Sequence, residues 1–262
     1  MNDNREGDDS SAADLTGPTV DDQLPPPGIL ELDHVYRALA HPRRRYLCYT
    51  LLEEASWSLP DLATKVAAWE NEVSEDAVTE SQRRRVLVSL YHAHVPKLVD
   101  DEIIYFDEAT ETIRPAGNAA QVLSVLEAMG GGAPTAGRRR THGVRAMTFG
   151  ADGGVGSDEP APTDEPRWRQ VAQRLYEPDG DEELTTAIVF AVADAAGVSP
   201  TEVRSPPLYE VVDAAAIEDV FFGSGRETRG TGTVEFRYQG YRVEIRSDGW
   251  IVIFEPDEPE EA

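Results

Sequence analysis

Residues 79–114 read TESQRRRVLVSLYHAHVPKLVDDEIIYFDEATETIR, and this stretch decides the fold. Thr79 and Gln82 stand at the T-x-x-Q spacing of a capping box, in which each side chain satisfies a backbone N–H that the first helical turn leaves open. The spacing predicts a helix from there to about Val95, ended by Pro96. Along it Leu87, Leu90, Tyr91 and His94 recur at helical spacing and face a core. Arg85, Ser89 and His92 fall on the opposite side, with Arg84 at the boundary. Ile103 to Phe106, a turn at Asp107 to Thr110, and Glu111 to Arg114 read as a β-hairpin.

Upstream, Ile29 to Leu39 carries Leu32, Val35, Tyr36 and Leu39 on one helical face. His41-Pro42 restarts the chain into a second helix, because proline at the first helical position loses only an N–H that has no partner there. Ser58 caps a third helix with Pro60 and Asp61 in its first turn. Downstream, Ala119 to Met129 is a helix with an apolar stripe at Val122, Leu123, Leu126 and Met129, a candidate surface for a homodimer through 119–129. The order of helices, hairpin and final helix is that of a winged helix-turn-helix module.

ALAHPRRRYLCYTLLEE is similar to the opening of many small archaeal and bacterial winged-helix regulators. More closely, PRRRYLCYTLLEE, LATKVAAWENEV and RRRVLVSLYHAHVPKLVDDEIIYFD resemble a haloarchaeal domain of unknown function with winged-helix character, over about residues 31–115. The resemblance implies a fold; winged helices bind DNA, RNA or proteins. A helix entering the major groove needs outward donors near its start, and Arg84, Arg85, Ser89 and His92 meet that need, with Arg114 on the hairpin placed for phosphate or the minor groove. The arginines equally suit surface pairs with Glu80, which contribute only ~0.2–1 kcal/mol each. The run Arg43, Arg44, Arg45 reads as structural, since it opens an earlier helix.

A second patterned region spans 167–256. Acids at 179–183 open a helix, where they favour its dipole. Leu184, Ile188, Val189, Val192 and Ala195 give its apolar face and Gly197 its stop. Asp213 caps a helix from Ala214 to about Phe222. Three strands follow: Thr233 to Tyr238, Tyr241 to Arg246 and Trp250 to Phe254. A two-residue turn at Gln239-Gly240 would set Arg237 opposite Arg242 and Glu235 opposite Glu244, so that opposite charges meet on the diagonals. Arg167 to Tyr176 fits a helix or an extended lead-in equally. LTTAIVFAVADAAGVSPTEVRSPPLYEVVD and GTVEFRYQGYRVEIRSDG resemble the halobacterial output domain over about 176–254, a family whose resemblance implies an output or interaction role and no defined chemistry.

The expected fold class is therefore mostly α with small β: an N-terminal winged helix-turn-helix (29–129) and a C-terminal small α+β domain (167–256) of two helices on a three-stranded antiparallel meander. An acidic tail (1–28), a Gly/Pro/Arg linker (130–166) carrying Arg138, Arg139, Arg140 and Arg145, and a short acidic tail (257–262) complete the chain.

Composition narrows the function classes. The chain has 262 residues, 49 Asp and Glu against 24 Lys and Arg, and a net charge of −25. Lys65 and Lys97 are the only lysines. So acidic a surface repels itself in dilute buffer and is screened in concentrated salt, where the Debye length is ~3 Å near 1 M, which points to a halophilic archaeal cytoplasm. With one cysteine, Cys48, neither a disulfide framework nor a Cys-rich zinc site is possible within the chain. No apolar run has the length of a membrane span. His92 and His94 are set too far apart around a regular helix to chelate together, and GADGGVG (150–156) lacks the flanking strand and helix of a nucleotide loop. No metal, cofactor or catalytic residue is expected. The two readings left open are a DNA-binding transcription regulator on double-stranded DNA and an adaptor that docks signalling proteins.

Overall fold

A computed structural model describes residues 30–128, 167–223 and 232–257. Both acidic tails, the linker with its four arginines, and Met129 lie outside the described residues apart from Asp257. The chain is mixed α/β with two antiparallel sheets, one of three strands and one of four.

The first domain runs α1 (Leu32–Leu39), α2 (Pro42–Glu53), β1 (Trp57–Ser58), α3 (Leu59–Asn71) and α4 (Glu80–Ser89). A π-helical turn (Leu90–His94), α5 (Val95–Asp100), β2 (Ile104–Asp107), β3 (Thr112–Pro115) and α6 (Ala119–Ala128) follow. Its caps are those expected: Ser58 Oγ accepts from Asp61 N, and the Thr79–Gln82 box closes in both directions. β2 and β3 pair antiparallel, and β1, not foreseen from the sequence, joins the far side of β3 through Trp57 and Ser58. Leu47, Leu51, Leu62, Val66, Leu90, Leu98 and Ile113 form the core with Cys48.

Three expectations need correction here. Pro96 does not end the helix. The turn before it widens, with Val95 N–H donating to Leu90 O five residues back, and Pro96 then sits in the first turn of α5. The wider π turn relieves the clash that a proline ring makes with the carbonyl four residues earlier. On α1, Val35 and Leu39 are buried, but Leu32 and Tyr36 are 63% and 57% exposed. On α6, Val122 and Leu126 belong to the core of their own domain, so the apolar stripe read as a homodimer surface is largely spent inside the fold.

The second domain runs β4 (Trp168–Leu175), α7 (Leu184–Ala196), α8 (Ala214–Phe222), β5 (Thr233–Tyr238), β6 (Tyr241–Arg246) and β7 (Trp250–Pro256). The sheet order is β4-β7-β6-β5. Its three C-terminal strands are those read from the sequence, but the sheet has four: the ambiguous segment is β4, antiparallel to β7 with a register shift between Gln170 and Ala172. Arg237 stands opposite Arg242 and Glu235 opposite Glu244, and the diagonal pair Arg242–Glu235 closes at 3.7 Å. The turn residues Gln239 and Gly240 both have positive φ, 54° and 82°, the geometry that matches strand twist in a two-residue hairpin. Ile188, Val192, Tyr238, Val243, Ile245 and Ile253 fill the space between sheet and helices. Val88, on α4 of the first domain, belongs to this second cluster.

Candidate interdomain site

The arginine run places the first half of the site. Arg44 donates from Nε to Ala38 O (2.8 Å) and from Nη2 to Arg37 O (2.8 Å), and Arg45 donates from Nη1 to Leu39 O (2.8 Å). These are carbonyls at the end of α1, where helical N–H partners run out; Arg37 O also accepts from Ala40 N at 3.3 Å. Arg43 is buried and grips Glu70 of α3 through Nε (2.6 Å) and Nη2 (2.8 Å). Its remaining Nη1 points out of the domain. His41 caps α2, its Nδ1 accepting from Arg43 N at 3.2 Å, and stacks on His94 with ring centroids 4.3 Å apart.

Glu183 supplies the second half. It is the N-cap of α7, but its side chain does not cap that helix; it crosses to the first domain. There it accepts from Ser89 Oγ (2.5 Å) and His94 Nε2 (3.1 Å), and pairs with His41 Nε2 (3.2 Å) and Arg43 Nη1 (3.1 Å).

The tautomers follow from what the other ring nitrogens meet. A backbone N–H and a guanidinium only donate, so Nδ1 of His41, facing Arg43 N, is an acceptor. So is Nδ1 of His94, with Arg44 Nη1 at 3.4 Å. Each imidazole then carries its proton on Nε2 and aims it at Glu183. The three side chains bring their ligand-type atoms within 4.8 Å of one another. Such a set often holds a metal, but here both Nε2 lone pairs are protonated and Arg43 adds a fixed positive charge. The arrangement fits a carboxylate and opposes a divalent cation.

The electrostatics agree. Burial pushes the His94 imidazolium down to about 3 against the attraction of Glu183, so the ring is neutral near neutral pH. Burial alone would raise the Glu183 carboxyl, but Arg43, then His94 and the hydrogen bonds from both rings, hold it well below the usual carboxylate range. The head of α7 adds its dipole in the same sense. One carboxylate thus meets one guanidinium, two imidazole N–H groups and a hydroxyl, so its buried charge is answered.

His92 makes a second crossing. Its Nε2 donates to Val203 O at 2.8 Å and its Nδ1 accepts from Leu208 N at 3.2 Å, while Tyr238 Oη donates to Pro206 O at 3.1 Å beside it. Burial lowers this imidazole to about 4. Arg204 pairs with Glu111 and lies 5.5 Å over the ring of Tyr91.

The five residues read as a DNA-contacting set are therefore divided. Ser89 and His92, expected to face outward, are 0% and 2% exposed and occupied by the second domain. The helical periodicity correctly set them opposite the first core; what covers that side is the other half of the chain. Arg84 lies 3.6 Å from Glu80, which also holds Arg83 at 2.7 Å. Arg85 is half-exposed and Arg114 exposed. Sequence reasoning missed Glu183, whose only signal was its place at the end of an acidic run, and His41, read as a chain restart.

Residues 36–114 match the family model of a domain of unknown function (DUF7344), and residues 180–255 match that of halobacterial output domain 1. No curated protein and no solved structure matches the chain. Among the described residues no helix is long and apolar enough to cross a membrane.

Proposed function

We propose that this chain, a DUF7344 domain joined to a halobacterial output domain, is a non-catalytic adaptor of haloarchaeal signalling that works through protein contacts in the cytoplasm. The first domain is a winged helix used as a seat for the output domain, whose β5–β7 form a meander with β4 added along β7. The observation carrying this reading is the hydrogen bond from Ser89 to Glu183. The helix that would enter a major groove spends its outward side on the second domain instead. Glu80 also answers two of the three arginines at its start. The described part of the first domain is itself net negative, a poor match for a polyanion.

A second reading, DNA binding by the winged helix, is favoured by Arg85 and Arg114, which stay on the surface. Mobility shift of genomic fragments in molar KCl separates the two. The adaptor reading expects no shift, together with recovery of signalling proteins on the tagged full chain from its host. A shift that disappears in an Arg84→Ala/Arg85→Ala variant would overturn it.

A further inference from the structure

Beside the Glu183 lock, a cavity of about 570 Å³ lies in the same seam, walled by both domains. That size suits a small organic ligand. The wall from the first domain is basic: Arg44, Arg45 and Lys97. The wall from the second is acidic: Asp213, Glu218 and Asp219. His41, His92, His94 and Glu183 of the two crossings also line it, and Thr185, Tyr209 and aliphatic side chains complete the lining.

On the basic wall Arg44 and Arg45 are held by the carbonyls that end α1, which leaves Lys97 as the group facing a guest. Lys97 is one of two lysines in a chain of net charge −25. It is half-buried, and burial together with the nearby Arg44 pushes its ammonium down, with Asp213 opposing. On the facing wall, Asp213 uses Oδ1 to cap α8 through Ala216 N at 3.0 Å. Its other oxygen is not needed for the cap. An anion placed here meets repulsion from the acidic wall, and a cation from the basic one. An apolar guest would strip water from both without replacing its hydrogen bonds. A molecule carrying one charge of each sign answers both walls at once.

We propose that this cavity binds a zwitterion of amino-acid to dipeptide size, its carboxylate on Lys97 and its ammonium on Asp213, Glu218 and Asp219. The inference rests on the docked arrangement used above. Because the two walls belong to different domains, such a ligand binds only the docked chain and holds it docked by mass action.

Titration calorimetry on the full chain in molar KCl tests it, with L-glutamine and L-alanyl-L-alanine as zwitterions, succinate as an anion and butylamine as a cation. Saturable heat with at least one zwitterion is expected, and none with succinate or butylamine. Lys97→Gln and Asp219→Asn should each weaken that binding roughly tenfold or more, the loss of one charge-assisted contact. Circular dichroism establishes that each variant is folded, and either folded variant suffices. Absence of binding by both zwitterions, equal binding of succinate, or unchanged affinity in the folded variants would overturn the proposal. A DNA shift with zwitterion binding intact would instead overturn the adaptor reading and leave this one standing.

Discussion

Glu183, at the head of α7, accepts a hydrogen bond at 2.5 Å from the hydroxyl of Ser89, 94 residues earlier in the chain and across the boundary between the two domains. The same carboxylate takes N–H donors from two imidazoles and a guanidinium. Removing it leaves Ser89 and His94 buried without their acceptor and takes from Arg43 the second of its two carboxylates.

Glu183→Ala should accordingly destabilise the docked chain by about 3–5 kcal/mol, the cost of stranding a buried partner of an ion pair. Glu183→Gln keeps an acceptor but not the charge, and should cost about 1–3 kcal/mol. Denaturant unfolding gives the totals, and amide exchange in Ser89–His94 reports whether the loss falls at the seam. Variants as stable and as protected there as the parent would show that the lock contributes nothing.

Acid should open the seam. In the unfolded chain His92 and His94 take protons as pH falls below 6.5; folded, they resist until about 4 and about 3. The unfolded state therefore binds more protons throughout that window, and stability falls as pH falls across it. Glu183, held low in the folded state, acts in the same direction below its ordinary value of 4.5. Melting temperature followed from pH 7 downward in molar KCl should decline from about pH 6.5, with a shallower slope in His92→Gln. A flat profile to pH 4 would contradict the burial of these rings.

Cys48 should be inert until the first domain unfolds. It is fully buried, and burial pushes its thiol up to about 12 despite the nearby Arg44. Thiolate, the reactive form, is then scarce and inaccessible. A disulfide reagent added to folded protein should leave Cys48 unmodified, with labelling that tracks denaturant unfolding; prompt labelling of the native chain would count against the packing described.

Gly249 should not tolerate a side chain. Its φ is 95°, and a Cβ would stand 2.6 Å from Tyr176 O, where β7 begins beside the end of β4. Gly249→Ala should cost more than about 1 kcal/mol through strain and that contact. Gly240→Ala, at φ 82° but with open space around it, should cost less. Thermal unfolding of the pair compares them directly.

Local chemistry was readable where its partners lie close in sequence. The Thr79–Gln82 box, the Ser58 and Asp213 caps and the 237–242 register all follow from side chains within a few residues of one another. Trp168–Leu175 was ambiguous for a physical reason. The register shift between Gln170 and Ala172 breaks the strand's period of two and leaves Trp168, Val171 and Leu175 at helical spacing. The site was hidden for a different one. A polar helix face such as Ser89 and His92 is what a solvent-facing or duplex-facing surface looks like. It is also what a seam between domains looks like when the matching donors and acceptors arrive from residues 183–208. Nothing within α4 distinguishes them.

Val88 grows from a helix of the first domain yet is packed among the apolar side chains of the second. A scalpel drawn anywhere between residues 129 and 166 therefore yields two fragments that are each unfinished: one with a bared isopropyl knob, the other with the dent it came from. Expressed together as separate polypeptides, the two pieces are built to find each other, which makes this chain a natural starting point for a split-protein pair in brine.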